Sequence, residues 1–307
     1  MTAFFQLIRW KNLLLIAITQ YLIKYGLLDP FIDDYGVLVT LNHFGFLILV
    51  IATVCIAAAG YVINDIYDVE ADKINKPEKV IVGKSLTERT CTTLFIVLNI
   101  IGVVLGYYLS HVVGKNGYFI IFFVSSALLY IYATYLKQIL LVGNIIISIL
   151  VAFSLLVVGI FELLPVITPS NSQIQTVFFK IILDYAIFAF AINLLREIVK
   201  DIQDIDGDHK LDMRTLPIVL GRKRASDIAF VLSILLTGGI VYYIITFLFK
   251  QQIVVAYFLI MVIAPLIFTS IKLHTSDTKK DYALISNLLK VIMLTGILSI
   301  TLYRFVI

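Results

Sequence analysis

Charge is what this chain lacks. Only 14% of its 307 residues are Asp, Glu, Lys or Arg, while 61% are hydrophobic; a soluble domain is roughly a quarter charged and about half apolar. The shortage excludes an ordinary soluble globular domain. Cysteine is also scarce: Cys55 and Cys91 lie far apart, in or beside apolar segments, so they read as packing residues and identify no redox compartment. The four histidines, His43, His111, His209 and His274, show no metal-ligand spacing. The opening "MTAFFQLIRWKN" runs into a long apolar segment without a small-residue cleavage site, so no cleavable signal peptide is expected. No low-complexity tract or linker divides residues 1–307, and the whole is read as one domain.

What fills the chain is apolar sequence. Nine stretches stand out, roughly at 12–28, 43–64, 91–112, 117–136, 139–161, 175–195, 226–248, 251–271 and 284–305. A bilayer core admits only helices or closed barrels, and most of these runs are too long and uniform for strands. The expected fold is an all-α bundle of nine membrane-spanning helices. With the N-terminus placed inside, nineteen Lys and Arg fall on one side and five on the other. That bias puts the N-terminus and the two long polar loops in the cytoplasm. The net charge of +4 is accounted for by this topology and gives no reason to invoke nucleic acid. No protein partner is called for either.

Against this background, two acidic clusters sit where apolar runs end. "NDIYDVEAD" follows the second run and "REIVKDIQDIDGD" the sixth. At about 100° per residue, Asn64, Asp65, Asp68 and Asp72 share an arc of roughly 100° on a helix. Glu197, Asp201, Asp204 and Asp208 share one face likewise, provided the helix continues past Gly207. Like charges four residues apart destabilise a helix, and more so at membrane depth. Lys73, Lys76, Arg196 and Lys200 can offset part of that charge. A divalent cation does so better, since Mg²⁺ takes a few carboxylates and keeps sites for phosphate oxygens. Two such faces meeting across a cavity would hold Mg²⁺ ions bridging a diphosphate. EF-hand loops are excluded by register, because neither cluster has its glycine in place.

The two clusters together resemble the paired motifs of the UbiA-type intramembrane prenyltransferases. "NDIYDVEAD" is similar to the family's N-D-x-x-D-x-x-x-D, and "REIVKDIQDIDGD" with "DMRTLPIVLG" to its second motif and sequel. The resemblance covers nearly the whole chain. It implies a helical bundle around a central cavity, Mg²⁺ holding a prenyl diphosphate, and the prenyl tail in a lateral, lipid-facing tunnel. Within the family the second motif looks most like that of the geranylgeranylglycerol-phosphate geranylgeranyltransferases of ether-lipid synthesis. Carried over residue by residue, Asn64, Asp68, Asp72, Asp204 and Asp208 are the metal positions, with Asp65, Glu197 and Asp201 in support. "YATYLK" followed by "GN" adds Tyr132, Lys137 and Asn144; "RWKN" adds Arg9 and Asn12. After the first motif the family's usual N-R-P-x-R-P is here "NKPEKV", so Lys76 and Lys79 stand where arginines are expected and lack their bidentate fork.

The expectation is therefore transfer of a polyprenyl group from its diphosphate to an acceptor hydroxyl. Asp65, Glu197, Asp201, Lys137 and Tyr132 are the candidate catalytic residues. Arg9, Asn12, Lys76, Lys79, Arg196, Lys200 and Asn144 are the candidate substrate-binding ones. Lys76, Lys137 and Lys200 are read as cations that stabilise the leaving diphosphate. Some of these positions have plainer readings: Tyr132 as an interfacial tyrosine, Lys137 as a snorkelling anchor, Asn144 as interhelical glue. The acceptor is a prenylglycerol phosphate or, alternatively, an aromatic quinone precursor. A more distant alternative, an ion-coupled transporter, fits poorly, because the acids lie at span ends and no inverted repeat is visible.

Overall fold

The computed structural model describes residues 2–305. Among them nine helices are long and apolar enough to cross a membrane. They are α1 (Trp10–Tyr35), α2 (His43–Tyr67), α3 (Glu88–Val112), α4 (Asn116–Thr134), α5 (Val142–Val166), α6 (Ser172–Lys210), α7 (Arg222–Leu248), α8 (Gln252–Thr275) and α9 (Lys279–Phe305). Each apolar run of the sequence is one of these helices. The described residues contain no strand beyond an isolated bridge between Val82 and Leu86. Helices satisfy every backbone group within the segment, which lipid requires.

Local chemistry sets several of the starts. Asn42 caps α2 by accepting the Gly45 amide, and Thr87 caps α3 by accepting that of Thr90. Thr278 and Asp281 form a reciprocal capping box at α9. Two ends lie beyond the apolar runs. The last turns of α1 pass through a π-helical stretch, Leu22–Leu28, and a 3-10 turn, Asp29–Phe31. More consequentially, α6 runs 39 residues and carries the whole second acidic motif without a break. Charge does not stop it, because Lys200 lies one turn from Glu197 and pairs with it.

Helix α6 is the hub. It packs against α5, α7 and α9, and its acidic end takes the short helix Val69–Asn75 that follows α2. Helix α2 anchors the other side, against α1, α3 and α4. Small residues permit the close approaches: a Cβ on Gly106 of α3 would fall 2.2 Å from the Phe122 ring on α4. Helices α3 and α4 otherwise turn large exposed residues such as Ile100, Val104, Ile120 and Phe123 outward, as a lipid-facing surface does.

One ion pair lies fully inside this apolar frame. The Lys24 ammonium on α1 meets Glu162 Oε1 on α5 at 3.0 Å and Asp29 at 3.5 Å, and donates to the Leu41 carbonyl. The amides of Thr40 and Leu41 donate to Glu162 Oε2. Lys24 is 2% exposed and Glu162 0%, so removing one partner strands a buried charge. Glu162→Ala should cost about 3–5 kcal/mol, and the double replacement Lys24→Met with Glu162→Leu clearly less. Thermal unfolding of the detergent-solubilised protein measures the difference.

Candidate active site

The first acidic motif spans a joint. Helix α2 ends at Tyr67, Asp68 stands at φ −93° and ψ −1°, and the chain resumes as the helix Val69–Asn75. This corrects the expectation of one unbroken helix. The bonds from the Asp68 amide to the Asn64 carbonyl and from the Asp72 amide to the Asp68 carbonyl nevertheless continue the turn. Asn64, Asp68 and Asp72 thus keep their common side, and the Asn64 amide donates to Asp68.

The second motif lies on continuous helix through Gly207, as its spacing requires. Glycine is needed there for a packing reason. A Cβ would sit 2.3 Å from the Asn75 side-chain nitrogen and 2.9 Å from the Ala71 carbonyl. Into that notch Asn75 inserts: it accepts from the Gly207 amide at 3.0 Å and donates to the Asp204 carbonyl at 2.9 Å. Lys76, the next residue, pairs with the Asp204 carboxylate, and Lys279 from the start of α9 donates to the Asn75 carbonyl. The unusual "NKPEK" segment therefore joins one acidic motif to the other.

Most of the acids have a compensating group. Lys137, on the turn between α4 and α5, pairs with Asp68. Asn144 donates to Asp201 at 2.8 Å, and Arg196 and Lys200 meet Glu197 at 3.1 and 2.7 Å. Arg9 pairs with Asp65 at 2.7 Å and lies over the Tyr61 ring. Burial works against the Arg9 charge, yet Asp65, Tyr61 and Asp68 around it hold its pKa above the ordinary value. Arg9 takes a left-handed backbone conformation, φ 50° and ψ 52°. Such conformations cluster at functional sites, where the surroundings must over-determine them.

Beside the acids opens a cleft between α1, α2, α4, α5 and α6. Arg9, Asn64, Tyr132, Arg196 and Lys200 line it together with a larger apolar wall that includes Ile56, Phe122, Leu129 and Val151. A charged head and a long apolar tail fit such a lining.

The donor set accords with Mg²⁺, a hard cation that prefers oxygen. Asp204 Oδ1 is buried with no hydrogen-bond partner, and neither Asp72 nor Asp208 accepts a side-chain hydrogen bond among the described residues. These oxygens are free to take a ligand, while Lys76 and Lys137 occupy the others. No three acids, histidines or cysteines among the described residues converge into a finished metal site.

Comparison with known proteins now bears on this geometry. Residues 36–292 match the UbiA prenyltransferase family. The chain belongs to the UbiA prenyltransferase family. It is 30% identical over 258 residues to the digeranylgeranylglyceryl phosphate synthase of Methanosphaera stadtmanae, covering 82% of this chain and 86% of that one. To the synthase of the same name from Saccharolobus solfataricus it is 31% identical over 261 residues, 83% of each chain. Among solved structures it is similar in fold to a UbiA homologue from Aeropyrum pernix, with a TM-score of 0.64 at 12% identity, over 97% of this chain and 98% of that one. A UbiA homologue from Archaeoglobus fulgidus bound to DMAPP and Mg²⁺ gives a TM-score of 0.58 at 13% identity, over the same shares.

For this UbiA-family prenyltransferase, the structure assembles most of the residues read from the sequence. Asn64, Asp65, Asp68, Lys76, Lys137, Asn144, Glu197, Arg196, Lys200, Asp201, Asp204 and Asp208 lie in one connected set around the ends of α2 and α6. Tyr132 and Asn12 join Arg9 along the cleft. Lys79 is not brought in: it lies on an exposed 3-10 turn and makes no ion pair among the described residues. Sequence reasoning missed Asn75 and Lys290. Asn75 sits within the quoted motif region, but its partners lie about 130 positions away.

Asp72 titrates in an accessible range. Burial first, and the charge of Asp68 second, raise its pKa to about 6 against the pull of Lys76. A carboxyl with a raised pKa is ionised above that value and neutral below it. Mg²⁺ affinity measured calorimetrically on detergent-solubilised protein should therefore fall as pH drops from 7 through about 6. Asp72→Asn should flatten that dependence.

Proposed function

We propose that this prenyltransferase moves a geranylgeranyl group from its diphosphate to the free hydroxyl of a prenylglycerol phosphate, a step of membrane ether-lipid synthesis. The observation that carries the reading is the pairing of two acidic helix ends with an apolar cleft opening beside them. The synthase names borne by the two archaeal relatives support the acceptor. The bond between the allylic carbon and the diphosphate oxygen breaks, a new bond forms to the acceptor oxygen, and the hydroxyl proton is released with diphosphate.

Asn64, Asp68 and Asp72 on one side, and Asp204 and Asp208 on the other, would hold Mg²⁺. When bound, the ion offsets the negative charge that gathers on the departing diphosphate. Lys76 and Lys137 add positive charge at the same place and are released from Asp204 and Asp68 as diphosphate takes over. Asp65 and Asn144 act by position: Asp65 fixes the Arg9 guanidinium and Asn144 fixes Asp201. The apolar walls keep water from the developing allylic cation. The excess of Lys and Arg on the side of both acidic motifs supports a cytoplasmic position for them and for the N-terminus.

Asp68→Ala and Asp204→Ala should each lower Mg²⁺-dependent transfer on the order of 100-fold or more, with the protein still extracted as a monodisperse species. Purified protein given labelled geranylgeranyl diphosphate and a choice of acceptors tests the reading directly. Label on geranylgeranylglycerol phosphate is the expected result. Label on a hydroxybenzoate or naphthoate ring, with none on the glycerol phosphate, would sink it.

A further inference from the structure

A second group of charges lies beside the acid clamp, and its balance is opposite. Arg9, Arg196 and Lys200 line the cleft together, and Lys290 of α9 reaches Asn12 in the same wall. The carboxylates among them are Asp65, paired with Arg9, and Glu197, shared by Arg196 and Lys200. Arg9, Arg196 and Lys200 therefore each meet a carboxylate, Arg196 and Lys200 sharing one between them. Lys290 makes no ion pair among the described residues; its ammonium reaches only the Asn12 side-chain oxygen, at 3.5 Å. It is half-buried, in the middle of a membrane-spanning helix. Such a charge is costly at membrane depth unless a partner arrives. A second vacancy points the same way. The Arg196 Nε–H is buried and has no acceptor, although Arg196 lines the cleft.

An ammonium without an ion pair beside an unused guanidinium donor matches a phosphate monoester, which carries close to two negative charges near neutral pH and offers three acceptor oxygens. The diphosphate of the donor has its own place, where acids and Mg²⁺ receive it. We infer that Arg196, Lys200 and Lys290 form the binding site for the phosphate of the acceptor lipid, with Asn12 positioning Lys290. This rests on the acceptor proposed above and assigns its headgroup. Arg196 and Lys200 then serve the acceptor, while Lys76 and Lys137 serve the leaving group. The site distinguishes a phosphorylated lipid from its dephosphorylated form, because a neutral headgroup would leave Lys290 and the Arg196 donor unsatisfied.

The test compares wild type, Lys290→Met, and Lys290→Arg, each purified and reconstituted in vesicles, with geranylgeranyl diphosphate as donor. The acceptors are geranylgeranylglycerol phosphate and geranylgeranylglycerol. Lys290→Met should raise the KM for the phosphorylated acceptor about 10-fold or more, the worth of one charge-assisted hydrogen bond. The KM for the donor should stay within about 2-fold, and Lys290→Arg should restore most of the loss. Wild type should prefer the phosphorylated acceptor strongly, and Lys290→Met should erode that preference. Unchanged preference in Lys290→Met, or a rise confined to the donor KM, would overturn the assignment. A wild type that labels neither glycerol lipid but labels an aromatic acid refutes the functional reading itself, a result separable from the others because it needs no variant. Unfolding temperatures within a few degrees of wild type confirm that the variants are folded.

Discussion

A carboxylate at the end of an apolar helix is expensive until something of opposite charge or a strong donor meets it, and the arrangement of this bundle follows from that requirement. Asp65 draws Arg9 across from the chain's start, Asp68 draws Lys137 from the turn after α4, and Asp204 draws Lys76 from the segment after α2. These contacts join α1, α2, α4, α5 and α6 at one end of the bundle. Asn75 fixes the register between the two motifs through the notch at Gly207. The compensation is incomplete, since an oxygen of Asp204 lies buried without a partner. The clamp is held closely enough to keep its shape, and loosely enough to accept a ligand in place of a lysine.

Helix α6 turns that local arrangement into a machine of useful dimensions. At 39 residues and 1.5 Å per residue it extends nearly 60 Å, well beyond the roughly 30 Å of a bilayer core. Its apolar part spans and packs; its polar part continues past the core with Glu197, Asp201, Asp204 and Asp208 on one side. A rigid extension of a buried helix holds these groups more precisely than a loop could. At the far end the buried Lys24–Glu162 pair ties α1 to α5, two of the helices that wall the cleft. The site is thus supported from the opposite side of the bundle by a contact with no part in the chemistry.

Much of this was legible in the sequence for a simple reason: both the membrane and the helix impose a period. All nine spans followed from apolar length, and the acid faces followed from 100° steps along a helix. Where the period failed, so did the foresight. The joint at Asp68 is a single residue of altered backbone that no composition marks. The continuation of α6 to Lys210 depends on pairing within a charged stretch that hydropathy alone would end near residue 195. Lys79 was placed by its position in a motif, yet one 3-10 turn carries it to the surface. Asn75 and Lys290 were not legible, because their partners lie some 130 and 278 positions away. Only the packed bundle brings such pairs together.

Division of charge between two neighbouring groups explains how one cleft can sort two anionic lipids with similar tails. A diphosphate accompanied by Mg²⁺ presents metal to the protein, so its receptor must be acidic. A bare phosphate monoester presents only anionic oxygens, so its receptor must be basic. Were both receptors of one sign, either lipid could occupy either place, and productive orientation would be left to chance. Here the first group is rich in Asp, and the second holds Lys290, which makes no ion pair among the described residues, and the unused Arg196 donor. Each headgroup is therefore attracted to one position and repelled from the other, which is how specificity against a wrong arrangement is usually achieved. Glu197 stands at the boundary, paired with both Arg196 and Lys200. In the proposed assignment, that carboxylate separates those cations from the diphosphate and orients them for the acceptor. The apolar tails contribute depth of burial but no such discrimination, so in this assignment the order of the reacting groups is set by the acidic ends of α2 and α6 on one side and by the cations of α6 and α9 on the other.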